Sequence, residues 1–134
     1  KYEVHHWDLE DPGSLAPVVA RVNRIRRSHP ALRRDANLRF HPTDNDRLLC
    51  WSKGDPAAET VVLCIANLDH AHAQSGWTEL DLAALGVEPD RPFTVTDLLA
   101  DTAYRWHGGR NFVRLDPDRT IAHMFAIGRP EDAR

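Results

Sequence analysis

Two pairs of closely spaced aspartates, Asp44 with Asp46 and Asp97 with Asp101, are the first candidates for chemistry. Paired carboxylates carry acid–base and glycosyl-transfer reactions, and retaining glycosyl chemistry needs the two carboxyls roughly 5 Å apart. Each pair falls where the chain turns, and aspartate is favoured there for hydrogen bonds to nearby backbone. The turn reading is preferred, so no catalytic residue is assigned. Asp44-Asn45-Asp46 also opens like a calcium loop, but the glycine and distal glutamate that complete such a ligand set are missing. Of the eight histidines, only His5-His6 and His70-Ala71-His72 group closely. No cysteine or second pair completes a tetrahedral site, so they read as solvated loop residues. No metal and no cofactor is expected. No glycine-rich phosphate loop and no serine-centred nucleophile motif is present.

Four tryptophans remain: Trp7, Trp51, Trp77 and Trp106. Their faces could stack on sugar rings, although core packing is the commoner fate and is expected of Trp51. Trp106, beside Gly108-Gly109, is more open. The arginines between Arg21 and Arg39 could suit an anionic partner; a solvated helix end explains them more simply. A net charge of -3 argues against a nucleic-acid partner. No apolar run approaches the roughly 20 residues that cross a bilayer, so no membrane partner is expected. Cys50 and Cys64 are read as small buried apolar residues, with a disulfide between adjacent strands as the alternative. Few thiols and no visible signal peptide point to a reducing, cytoplasmic setting.

The elements that would position these residues are mostly short strands. Thr60–Asn67 is a continuous apolar, β-branched run, which predicts a central strand covered on both faces. Before it, Leu15, Val18, Val19, Val22 and Ile25 recur at three- and four-residue steps. They predict a helix over 14–28, opened by Ser14 and ended by His29-Pro30. Strands are predicted over 38–41, 47–52, 77–82, 93–98, 104–107, 111–115 and 121–127. Lys53-Gly54-Asp55-Pro56 is expected to turn, 69–76 to be polar loop, and Ala83–Gly86 to be one helical turn stopped by glycine. Gly108-Gly109 is expected to close a hairpin between the strands that flank it. The whole reads as a mainly β, antiparallel sandwich with an unpartnered helix in front. The chain opens at Lys1, and its single methionine is Met124, so a piece of a longer protein is expected.

Arg26-Arg27-Ser28-His29-Pro30-Ala31-Leu32 resembles the end of the last barrel helix in α-amylase-superfamily enzymes. Asn67-Leu68-Asp69, Gln74-Ser75-Gly76-Trp77 and Leu80–Gly86 narrow the resemblance to the GlgE-type α-1,4-glucan:maltose-1-phosphate maltosyltransferases. Asp97-Leu98-Leu99, Tyr104-Arg105-Trp106, Asn111–Pro117 and Ala122–Phe125 do the same, and the likeness runs from Lys1 to about Arg129.

That resemblance implies an enzyme moving maltosyl units from α-maltose 1-phosphate to α-1,4-glucan chains, with retention and release of phosphate. Its catalytic carboxylates would lie upstream, on a (β/α)8 barrel whose last helix is the one predicted here. Residues 1–36 would then end the barrel, 37–129 would form the C-terminal β-sandwich, and 130–134 would be a tail. Lys1-Tyr2-Glu3 resembles the family's Glu-Lys-Tyr-Glu stretch, which implies that Lys1 and Tyr2 bind sugar hydroxyls of the donor. The implied partners are the upstream barrel, donor and glucan, and a second copy in a homodimer. The alternative is a non-catalytic glucan-binding module that stacks sugars on Trp77, Trp106 or Tyr104.

Overall fold

The protein is described from a computed structural model, which covers residues 2–55 and 60–128. After an irregular lead-in comes α1 (Ala16–Ser28) and a 3-10 turn (Pro30–Arg33). The strands follow as β1 (Arg39–His41), β2 (Leu48–Asp55), β3 (Thr60–Asn67) and β4 (Gln74–Trp77). A one-turn helix, α2 (Leu82–Leu85), precedes β5 (Pro92–Asp97), β6 (Thr102–His107), β7 (Phe112–Leu115) and β8 (Ala122–Gly128). Six strands form one antiparallel sheet in the order β1-β2-β3-β8-β5-β6, and β4 pairs with β7 in a second, two-stranded sheet.

β3 is central, with β2 on one side and β8 on the other. Side chains alternate along it, so both faces must be covered. Val61, Leu63 and Ile65 pack with Leu48, Cys50, Phe93, Val95 and Phe125 of the large sheet. Val113 and Leu115 of β7, with Leu80 and Leu85 around α2, close that core from above. On the other face, Val62 and Cys64 meet Ala31 and Leu32 of the 3-10 turn, Trp51 and Met124. Trp51 thus packs half-buried against this second core. Cys50 and Cys64 are free thiols in adjacent strands but opposite layers, because Cys50 stands across from Ile65 and Trp51 from Cys64. Burial pushes both thiols up to about 12, so they stay protonated and inert.

Several boundaries follow from local chemistry. The Ser14 hydroxyl accepts the Ala16 N–H at 3.2 Å, so α1 starts two residues later than predicted. Pro17 sits in its first turn, where no N–H is needed. Asp81 caps α2 by accepting the Ala84 N–H, and Gly86 ends it at φ 68°.

Three predictions fail. β2 runs on to Asp55, because its pairing with β3 continues through Lys53 and Gly54 where a turn was expected; Pro56 lies outside the described residues, as does the proposed tail at 130–134. β4 occupies 74–77 rather than 77–82, since Gln74–Trp77 has β7 beside it. Gly108-Gly109 closes no hairpin: β6 pairs with β5, β7 pairs with β4, and the two glycines carry the chain from one sheet to the other.

That crossing is tight. The Leu80 N–H donates to the Gly109 carbonyl at 2.9 Å, and a Cβ on Gly109 would lie 2.6 Å from the Leu80 carbonyl oxygen. Gly109→Ala is therefore expected to cost about 1–3 kcal/mol, read as a lower urea midpoint at unchanged slope. An unchanged midpoint would show that the sheets part there without penalty.

Candidate functional site

Three polar clusters and the lead-in hold the residues that could act. The first joins His41 at the end of β1, Ser52 of β2 and Asp81 before α2. His41 Nδ1 accepts the Asp81 backbone N–H at 3.2 Å, which leaves the ring proton on Nε2, facing Ser52 Oγ at 2.8 Å. The residue types match a serine hydrolase triad, but the polarity is reversed. A general base must offer Ser a lone pair, whereas this imidazole offers it a proton. Both His41 and Ser52 are buried, and the Asp81 carboxylate turns away to the Ala84 N–H and to Arg39 at 2.5 Å. The cluster fastens α2 to the sheet. Desolvation holds the His41 imidazole below its ordinary value near 6.5, and Asp81 only partly offsets it.

The second cluster is Asp97 with His123. Asp97 ends β5 fully buried; its Oδ1 accepts the Leu99 and Met124 N–H groups, and its Oδ2 takes His123 Nδ1 at 2.6 Å. Burial works to raise its carboxyl, but the His123 contact and the two amides outweigh it and hold the group below the usual carboxylate range. The bond to Leu99 is the turn role expected of Asp97. The bond to His123 was not foreseen, because it joins residues 26 apart. Its partner in the supposed pair, Asp101, is an exposed ligand of Arg21 at 2.6 Å. The Arg21 guanidinium also donates twice to the Leu98 carbonyl, at 2.8 and 3.0 Å, so α1 is clamped to the β5–β6 turn. Asp101 holds φ 55° there, a strained value for a non-glycine residue.

The third cluster lies on the outer face of the small sheet. Asp44 donates its N–H to the Trp77 carbonyl at 3.1 Å, and its Oδ1 accepts the Trp77 N–H at 2.6 Å. Gly76 makes room: a Cβ there would stand 2.7 Å from that carboxylate oxygen. Phe112 faces Trp77 across the pair, edge to face at 5.5 Å. The Arg110 guanidinium lies 5.3 Å from the Trp77 ring centroid. The sequence singled out Trp77; strict alternation along β7 was the signal that would have added Phe112. Trp106, by contrast, is half-buried against Phe93 and Phe125, and Tyr104 stands edge to face with Phe125.

Asp44 and Asp97 are thus committed to backbone amides, as the turn reading expected. Asp69 is held down to about 2, chiefly by the Ala71 N–H and also by Gln74 and His72. Among the described residues, no three His, Cys, Asp or Glu side chains gather as metal ligands, and no helix is long and apolar enough to cross a membrane. Tyr2 is 96% exposed in the irregular lead-in. Lys1 lies outside the described residues.

Two variants check the buried clusters. The unfolded chain takes up the His41 proton before the folded one does. Stability is therefore expected to fall as pH drops through about 6.5, and a denaturation series from pH 7.5 to 5 should show less of that fall in His41→Gln. Asp97→Asn is expected to cost about 1–3 kcal/mol at pH 7 by leaving His123 badly partnered; equal stability would assign the pair no role.

The comparisons with known proteins agree on one group. The family described as "GLGE, C-terminal" matches residues 40–127. The α-1,4-glucan:maltose-1-phosphate maltosyltransferase of Methylacidiphilum infernorum is 41% identical over 96% of this chain. Maltosyltransferase 2 of Streptomyces coelicolor is 46% identical over 90%, and the enzyme of Corynebacterium pseudotuberculosis 38% identical over all of it. The chain spans only about a fifth of the length of these relatives: 19%, 18% and 20%. A two-layer antiparallel fold behind a single helix, matched over β1 to β8 and at these identities, belongs to the GlgE C-terminal family.

Proposed function

We propose that this chain is the scaffolding C-terminal part of an α-1,4-glucan:maltose-1-phosphate maltosyltransferase, catalytic only together with a barrel that carries the reacting carboxylates. The whole enzyme would move maltosyl units from α-maltose 1-phosphate to glucan ends, with retention and release of phosphate. The observation that carries this reading is the state of α1. Leu15, Val18 and Val19 are 71%, 58% and 53% exposed, and of the helix only Ile25 is buried. Burying such side chains is worth roughly 1.5–3 kcal/mol each, so leaving the stripe in water forfeits several kcal/mol. Yet Arg21 clamps the helix to the β5–β6 turn. A helix held in place with its apolar side outward suits a docking element, the last helix of the barrel. A free-standing binding module gains nothing from such a helix.

Within this reading, Lys1 and Tyr2 line the donor pocket. The fully exposed Tyr2 phenol is free to meet a sugar hydroxyl there. The cytoplasmic setting rests on the low thiol count of the sequence. The homodimer rests on the family resemblance alone.

The test is to supply the full-length protein with α-maltose 1-phosphate and a malto-oligosaccharide and to follow phosphate. Release that depends on the acceptor is expected; release without acceptor, or none, contradicts the proposal. Tyr2→Phe is expected to raise KM for the donor by about 2–13-fold, the worth of one neutral hydrogen bond. An unchanged KM would remove Tyr2 from the pocket.

A further inference from the structure

We infer that the outer face of the small sheet is a second glucan-binding surface, which holds the acceptor polymer away from the reacting centre. This rests on the maltosyltransferase reading and adds to it a site that the reaction does not need. Along β7 the outward residues are Phe112 and Arg114, and Trp77 and Ser75 stand opposite them on β4. Trp77 is 40% and Phe112 54% exposed; their rings meet edge to face at 64°, with Arg110 against the Trp77 ring, and together they form an aromatic platform with a polar edge. The next outward residue is Asp116, and Arg114, Asp116, Arg119 and Thr120 line an open depression. At about 3.3 Å per residue the strip from Phe112 to Asp116 runs roughly 13 Å, enough for a short glucan segment.

The chemistry favours a sugar over other occupants. A pyranose offers an apolar C–H face for stacking and hydroxyls at its edge. The strip offers two aromatic rings, then guanidinium donors beside a carboxylate acceptor. A protein partner forming a stable interface would need about 800 Å² of matched surface per side, with an apolar core. Two rings set among Ser75, Arg110 and Arg114 are too little and too polar for that. The guanidiniums Arg110, Arg114 and Arg119 are interleaved with the carboxylates Asp44 and Asp116, a mixed-charge pattern that suits hydroxyls better than a polyanion.

The backbone under the platform is held before any ligand arrives. Asp44 grips both backbone polar groups of Trp77, and Gly76 leaves the space for that grip. Preorganised aromatics bind with little ordering cost.

Native gel electrophoresis of the full-length protein in gels with and without glycogen reads this surface. Wild type is expected to be retarded, and Trp77→Ala/Phe112→Ala to bind glycogen at least about tenfold more weakly. Phosphate release with a short malto-oligosaccharide acceptor should stay at the wild-type rate in that variant. That rate reports the maltosyltransferase reading separately from polymer retention. Arg114→Ala/Asp116→Asn, which removes no ring, guards against a folding artefact and should also weaken retention. Equal retardation of all variants overturns the inference. So does a change in the variants' oligomeric state by light scattering, which would make the strip a contact between copies.

Discussion

β3 turns neither face to water, and the arrangement of the rest follows from that. Five consecutive residues, Val61 to Ile65, are buried, three toward one layer and two toward the other. A strand of this kind needs a neighbour at each edge and a cover on each side. β2 and β8 supply the edges. The small sheet with α2 supplies one cover, and the 3-10 turn after α1 supplies the other. The chain that leaves α1 is thus tied to the sandwich by core packing as well as by Arg21.

This explains which parts of the fold were legible. The bounds of β3 could be read directly, because an apolar β-branched run between polar residues has one simple reading. α2 was legible because Gly86 acts on its own neighbours, whereas its cap Asp81 fell within a predicted strand. The Gly108-Gly109 hairpin was misread because the choice of partner for β7 is made elsewhere. Val113 and Leu115 bury themselves only on the layer that β4 completes, and β4 is more than thirty residues away. Local turn chemistry carries no information about that. The same blindness hid the Asp97–His123 bond and the Arg21 clamp, both contacts between distant residues.

The division of labour in the molecule runs between inside and outside. The triad-like His41–Ser52–Asp81 group and the Asp97–His123 pair bring together residue types that can do chemistry, yet both are spent on fastening elements together. What is left for function faces outward: the stripe of α1, the lead-in with Tyr2, and the strip along β7. The 3-10 turn that follows α1 covers one face of β3, and the small sheet with β7 covers the other. In the proposed enzyme α1 would dock on the barrel while the strip along β7 stayed free for a polymer.

In the proposed enzyme α1 is covered by the barrel. Hydroxyl-radical footprinting of the full-length protein at Leu15, Val18 and Val19 measures this directly. Modification far below that of Leu68, an exposed leucine of the sandwich, is expected. Modification of the three at the level of Leu68 would contradict it, because the helix would then have no partner to hold.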